Sequence, residues 1–169
     1  MIPAVSDLTP AVLRDAFASF PSGVTAVAAM LDRRPQGLAA SSFTSVSLSP
    51  PLVSVCIART STTWPLLRSA PRLGLSVLAE EHGSVASALA ARGADRFAAV
   101  DWTDTAQGSV FVHGSALWLD CTSYAEVPAG DHQIALLCIR RLWAYPGVPP
   151  LVFHGSRFRQ LRAADPVGS

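Results

Sequence analysis

The chain has 169 residues, of which half are hydrophobic and only 15% charged, with a formal net charge of +1 at pH 7. That length fits one domain, residues 1–169, with a single sizeable core. A near-neutral chain without an Arg/Lys cluster argues against nucleic acid, and the longest apolar run, residues 52–58 with Ser54 inside it, is far short of the roughly 20 residues of a membrane helix.

In chain order, Thr9-Pro10 predicts an N-cap followed by proline at the first helical position, and Leu13, Ala16, Phe17 and Phe20 repeat at helical spacing until Pro21 and Gly23 stop the helix. Residues 24–30 read as a β-branched, alanine-rich strand and 32–35 as a turn. The stretch from Gly37 to the double proline Pro50-Pro51 follows as the next strand, so that the two form a hairpin. It holds six hydroxyl residues, Ser41, Ser42, Thr44, Ser45, Ser47 and Ser49, and no charge. On an extended chain Ser41, Phe43, Ser45, Ser47 and Ser49 take one side, and Ser42, Thr44, Val46 and Leu48 the other. Small hydroxyl residues let a flat heterocycle lie against the backbone and offer donors and acceptors to its polar rim without net charge. An isoalloxazine ring requires such a wall.

Residues 52–57 are apolar on both faces, as in a central strand, and 73–78 repeat the pattern, with a short helix between them. Arg59-Thr-Ser-Thr-Thr-Trp-Pro65 joins four hydroxyl residues to a helix start and forms a candidate phosphate cradle: free N–H groups, hydroxyl donors and the Arg59 charge. Residues 83–92 read as an alanine-rich helix that stops at Gly93. Strands follow at 109–112, 115–127, 132–145 and 151–158, with turns at 128–131 and 146–149 and a disordered tail at 163–169. This order predicts a mainly β protein, an antiparallel barrel with a few peripheral helices.

Cys56, Cys121 and Cys138 each lie in an apolar stretch without redox or metal spacing, so buried, reduced thiols are expected. The four histidines are scattered, which gives no support for a metal site. His132, in the tight turn Gly130-Asp-His132, projects an imidazole beyond the barrel rim, where it can contact a carbonyl or pyrophosphate. Rossmann, P-loop and nucleophile-elbow motifs are absent, as is a carboxylate pair for acid-base work. A reaction without a protein nucleophile fits best, and hydride transfer between two stacked cofactors is one. The first residues, Met1-Ile-Pro-Ala, lack the pattern of a secretion signal, so a soluble cytoplasmic protein is expected.

The order and spacing of Phe20-Pro-Ser-Gly-Val-Thr25, Gly37-Leu-Ala-Ala-Ser-Ser-Phe-Thr-Ser-Val-Ser47, Pro50-Pro-Leu-Val53, Asp95-Arg-Phe97, Gly130-Asp-His132 and Phe153-His-Gly155 resemble the short flavin reductases that supply reduced flavin to two-component monooxygenases. That family has the FMN-binding split-barrel fold, and the likeness covers a core of about 13–161. It implies an NAD(P)H-dependent flavin reductase, a homodimer, FMN or FAD bound near the subunit interface, and a partner monooxygenase. By the resemblance Ala39, Ala40, Ser41 and Ser42 line the isoalloxazine, Ser45, Val46 and Ser47 continue the flavin contact, and Ala58, Arg59, Ser61, Thr62 and Thr63 hold the phosphate. Arg96 serves either the phosphate end or a structural ion pair. His132, with Arg157 and Phe158, is expected at the nicotinamide. The absence of a cluster that reads a 2′-phosphate favours NADH over NADPH. Family members often carry asparagine where this chain has Ser41, which bears on flavin affinity and on FMN versus FAD. Rival readings are a split-barrel protein that holds flavin or a tetrapyrrole-sized ligand without turnover, and a deazaflavin-dependent reductase.

Overall fold

The computed structural model describes residues 6–93 and 95–161; the tail expected at 163–169 lies outside them. The first helix, α1 (Pro10–Phe17), starts as the sequence predicts: the Thr9 hydroxyl accepts a hydrogen bond from Val12 N at 3.4 Å, and proline opens the first turn. None of its side chains is buried, and Phe20 just beyond it is 78% exposed.

Two-residue β1 (Ser22–Gly23) leads into β2 (Thr25–Leu31), which pairs with β3 (Arg34–Ala40) in register Leu31↔Arg34. Asp32 and Arg33 between them both have positive φ, 48° and 63°. Positive φ at both turn residues is the geometry that matches the twist of a two-residue hairpin. Here the predicted hairpin ends. β3 stops at Ala40, Ser41 to Phe43 are irregular, and β4 (Thr44–Leu48) pairs with β5 (Pro51–Ala58) instead. The seven-stranded sheet has the order β3-β2-β6-β9-β10-β5-β4, where β6 is Leu73–Val77, β9 Leu117–Ala129 and β10 His132–Ala144. Consecutive β3 and β4 therefore lie at opposite edges of one sheet. β3 also touches β5, so the sheet curls until its ends approach, and all its pairings are antiparallel.

This corrects the expected alternation along residues 41–49. The segment is not one strand, and a bulge at Val46, between the pairs Ser45↔Val53 and Ser47↔Leu52, breaks the period again. The strand at 52–57 is interior and, over residues 52–55, buried on both faces as expected: β5 lies between β10 and β4, second from the sheet edge.

The remaining elements are the one-turn helix α2 (Trp64–Leu67), α3 (Gly83–Ala90), the pair β7 (Trp102–Asp104) and β8 (Val110–Val112), and β11 (Val152–His154) with β12 (Arg157–Arg159). The last two form a hairpin where one strand at 151–158 is predicted; Gly155 and Ser156, both at φ near 60°, make the turn. β7 has no counterpart among the predicted elements.

β2 explains how the layers join. Val27 and Ala29 face the barrel interior with Val55, Trp64, Leu75 and Leu137, while Ala26 and Ala28 face a second core with Leu89, Phe97, Val110 and Leu151. Alanine on that outer side lets α3 and β8 approach closely. Among the described residues no helix is long and apolar enough to cross a membrane.

One buried carboxylate ties the layers together. Asp120 on β9 has no exposed surface; it accepts from Ser109 Oγ at 2.6 Å and from Arg141 Nε at 2.9 Å, with Arg141 Nη2 at 2.8 Å and Arg72 Nη2 at 3.5 Å completing the ion pairs. Removing one partner of a buried ion pair costs roughly 3–5 kcal/mol. Asn keeps one oxygen and Arg141 is half-exposed, so Asp120→Asn is expected to cost about 2 kcal/mol, or about 4–8 °C of melting temperature in a thermal scan.

Of the three thiols expected to be buried, Cys121 and Cys138 are, and burial, then the neighbouring Asp120, pushes the Cys121 thiol up to about 12. Cys56 is exposed, a correction. It sits near the end of β5, where β4 no longer runs alongside to cover it.

Candidate functional site

A cavity of about 680 Å³ opens where β3 and β5 end, with the α2 connection and the end of α3 as its other walls. Local chemistry shapes each wall. The Thr25 hydroxyl donates to the Ala40 carbonyl at 3.0 Å and holds the end of β3. Ser42 takes over where the β4–β5 ladder stops: its hydroxyl accepts from Cys56 N at 2.8 Å and donates to the Cys56 carbonyl at 3.1 Å. It thus satisfies two backbone groups as a further strand residue would. The Ser42 hydroxyl is therefore engaged with β5 backbone.

Ala39, Ala40 and Ser41 from β3 and its continuation, and Ala58 from β5, line the cavity with Ser42. Small side chains leave a flat, uncharged wall. Thr60, Ser61, Thr62 and Thr63 line the next side, and Ser61 Oγ accepts from Trp64 N at 3.1 Å to cap α2. With four residues, α2 is too short for a substantial dipole. The anion-binding capacity of this corner rests on hydroxyls and on Arg96.

The sequence allows Arg96 either a phosphate contact or an ion pair. It forms no ion pair among the described residues. Its Nη1 donates to the Gly37 carbonyl at 2.9 Å and to Thr63 Oγ1 at 2.8 Å, which clamps β3 to the start of α2. Nε and Nη2 donate to no group among the described residues, so the guanidinium keeps donors for an anion.

The charged and titratable side chains lining the cavity are Arg92, Arg96, His132 and the Cys56 thiol, with no carboxylate among the described residues. His132 pairs with Ala58 across β10 and β5, and its Nδ1 lies 2.7 Å from Asp131 Oδ1. That hydrogen bond, reinforced by charge, holds the exposed Asp131 carboxyl below its usual range. A depressed carboxyl stays ionised at neutral pH, so this anchor of the imidazole is lost only as pH falls through the lowered value.

The structure thus brings Ala39, Ala40, Ser41, Ser42, Ala58, Ser61, Thr62, Thr63, Arg96 and His132 together. Others lie elsewhere. Ser45, Val46 and Ser47 run along β4, outside the cavity. Arg59 lines the neighbouring cleft of about 200 Å³ with Glu126 and Gln133, and its backbone N–H donates to the Asp131 carbonyl at 2.9 Å. Arg157 and Phe158 sit on β12, and Phe158 packs against Phe153 with ring centroids 5.7 Å apart. Thr60, the first hydroxyl of the predicted cradle, lines the cavity too, whereas Cys56, Leu89 and Arg92 were missed by sequence reasoning; only the helix stop at Gly93 hinted at the α3 wall. Among the described residues no group of three His, Cys, Asp or Glu side chains is placed to hold a metal.

A flat alanine and serine wall, hydroxyls and an arginine with unspent donors fit a planar heterocycle carrying a phosphate tail. Known proteins agree with this. Residues 17–162 match the model of the flavin reductase like domain. The actinorhodin polyketide dimerase of Streptomyces coelicolor is 39% identical over 155 residues, which cover 90% of this chain and 87% of that protein. The reductase component of a flavin-dependent trigonelline monooxygenase from Acinetobacter baylyi is 42% identical over 125 residues, 73% of this chain but only 40% of that protein. The NADH:FAD oxidoreductase SgcE6 of Streptomyces globisporus, solved with NAD and FAD fragments, superposes with a TM-score of 0.89 at 33% identity over 99% of this chain and 100% of that one. The chain belongs to the family of the flavin reductase like domain and is an oxidoreductase of that family.

Proposed function

We propose that the chain is an NADH-dependent flavin reductase that binds FMN or FAD in this cavity and releases reduced flavin to a partner monooxygenase. The observation that carries the reading is the cavity itself: a small-residue wall, a lining with no carboxylate among the described residues, and Arg96 beside Thr62 and Thr63. The name of the Acinetobacter baylyi relative supports the oxygenase partner, and the name of SgcE6 supports NADH.

When bound, the flavin supplies the hydride acceptor and reduced nicotinamide the hydride. The chain's own part is placement. Ala39, Ala40 and Ala58 set how closely a ring can approach the backbone, while Arg96 and the threonines hold the phosphate end. No side chain needs to move a proton, which agrees with the absence of a carboxylate from the lining. His132 approaches from the Ala58 side, oriented by Asp131. His132→Ala is expected to raise the KM for NADH about tenfold with a smaller change in kcat, measured by steady-state kinetics; an unchanged KM removes His132 from the nicotinamide site.

Exposed apolar side chains support a homodimer: Phe20 at 78% and Leu48 at 97% would be covered by a second copy. Light scattering at micromolar concentration tests this, and a monomer would contradict it. Use of the cell's reduced nicotinamide puts the reaction in the cytoplasm, and residues 1–169 act as one domain.

The deciding experiment is anaerobic mixing of the protein with excess flavin and NADH. Catalytic loss of the visible flavin absorbance is expected. Flavin that binds but is never bleached would make the protein a carrier.

A further inference from the structure

The ring cavity does not close at Arg96. A second chamber of about 890 Å³ begins there and shares Thr62, Thr63, Gly93 and Arg96 with the first. Single small-molecule sites span roughly 300–1,000 Å³. Each chamber is of that size, so the groove is longer than a mononucleotide requires.

Beyond the shared wall the lining changes character, to Trp102, Leu66 and Gln36 with one charge of each sign, Asp95 and Arg34. Trp102 is half-buried and braced edge-to-face by Phe97, with centroids 6.4 Å apart, so an anchored indole lines this chamber. Asp95 is itself held, because its Oδ1 accepts from Phe97 N at 3.1 Å.

We infer that the second chamber takes the adenylate half of FAD, so that this chain selects FAD over FMN. The inference rests on the proposed flavin reading of the first cavity. Covalent connectivity carries it: in FAD the second phosphate and the adenylate extend from the phosphate that ends FMN. The second chamber opens at Thr62, Thr63 and Arg96, the corner suited to that phosphate. A diphosphate crossing the shared wall meets the unspent Nε and Nη2 donors of Arg96. Beyond it, an aromatic wall suits the face of adenine, and the Asp95 carboxylate and Gln36 amide accept from its amine or from ribose hydroxyls. The adenylate of a nicotinamide dinucleotide is the poorer occupant, since it would enter from the His132 side and His132 does not line this chamber.

The test is calorimetric titration of the purified chain with FMN and with FAD, without nicotinamide. FAD is expected to bind at least tenfold more tightly. Leu66→Trp then fills the second chamber from a position that is 49% exposed and does not line the first; it is expected to bring the two dissociation constants within about twofold by weakening FAD. A measurement on the unaltered chain guards against misfolding of the variant: adenosine monophosphate should raise the apparent Kd of FAD more than that of FMN. Equal binding of the two flavins, equal weakening by Leu66→Trp, or no selective effect of adenosine monophosphate overturns the assignment of the second chamber and leaves the first cavity standing. Failure of both flavins to bind overturns the first-cavity reading, and this inference with it.

Discussion

Arg96→Ala is expected to raise the dissociation constant of flavin by about 10- to 100-fold while the protein stays folded. The guanidinium is the cation held at the corner suited to phosphate by two hydrogen bonds, to the Gly37 carbonyl and Thr63 Oγ1. A hydrogen bond to a charged group contributes about 1.5–3 kcal/mol, and about 1.4 kcal/mol is a factor of ten in affinity. The fold loses only the clamp between β3 and α2, which is about 1–2 kcal/mol and a few degrees of melting temperature. Arg96→Lys separates charge from geometry. Lysine keeps the cation but not the planar fork that reaches Gly37 and Thr63 while donating outward, so its affinity should fall between wild type and alanine. Calorimetric titration beside a thermal scan checks both variants. An unchanged flavin Kd in Arg96→Ala would reduce Arg96 to a structural clamp.

Gly74→Ala should be the most damaging small substitution in the fold. Gly74 sits in β6, paired with Ala28 of β2 and Asp120 of β9, and β8 crosses directly over it. A methyl group there would land on the Val110 carbonyl oxygen, with Val110 N and carbonyl C at 2.8 Å. That backbone has little freedom to retreat: Met30 N donates to the Gly108 carbonyl, Ser109 Oγ is bound by Asp120, and Val112 N donates to Ser76 Oγ at 3.1 Å. Overpacking against backbone costs at least about 3 kcal/mol, so the melting temperature should fall by about 6–12 °C, or the protein should not accumulate folded. Gly23→Ala is the control, since a methyl group there meets nothing within 4 Å. It should melt within about 2 °C of wild type. Equal melting of Gly74→Ala and wild type would refute the close crossing of β8.

The features legible in the sequence are those set by neighbours along the chain. Thr9-Pro10 starts α1 because capping and the fixed φ of proline act within one turn. The turn after residue 31 and the imidazole beside the β9–β10 turn were legible for the same reason. Family resemblance added one cavity wall, since its motif Gly37 to Ser47 contains Ala39 to Ser42, and the run of hydroxyls before a helix start marked Ser61 to Thr63.

Tertiary structure decided the rest, because strand pairing and side-chain direction depend on residues far away in sequence. Residues 41–49 alternate as a strand should. Yet β3 belongs to β2 and β4 to β5, at opposite edges of the sheet, so the chain must break at Ser41 to Phe43. The two arginines make the same point. Arg59, adjacent to the threonines in sequence, lines another cleft, whereas Arg96 reaches Thr63 from 33 residues away. By itself the sequence determined a mainly β member of the flavin reductase family with an uncharged, hydroxyl-rich segment at residues 41–49. Which cation faces the phosphate corner, and that the groove continues past it, followed only from closing the barrel, which brings distant side chains within the few ångströms over which hydrogen bonds act.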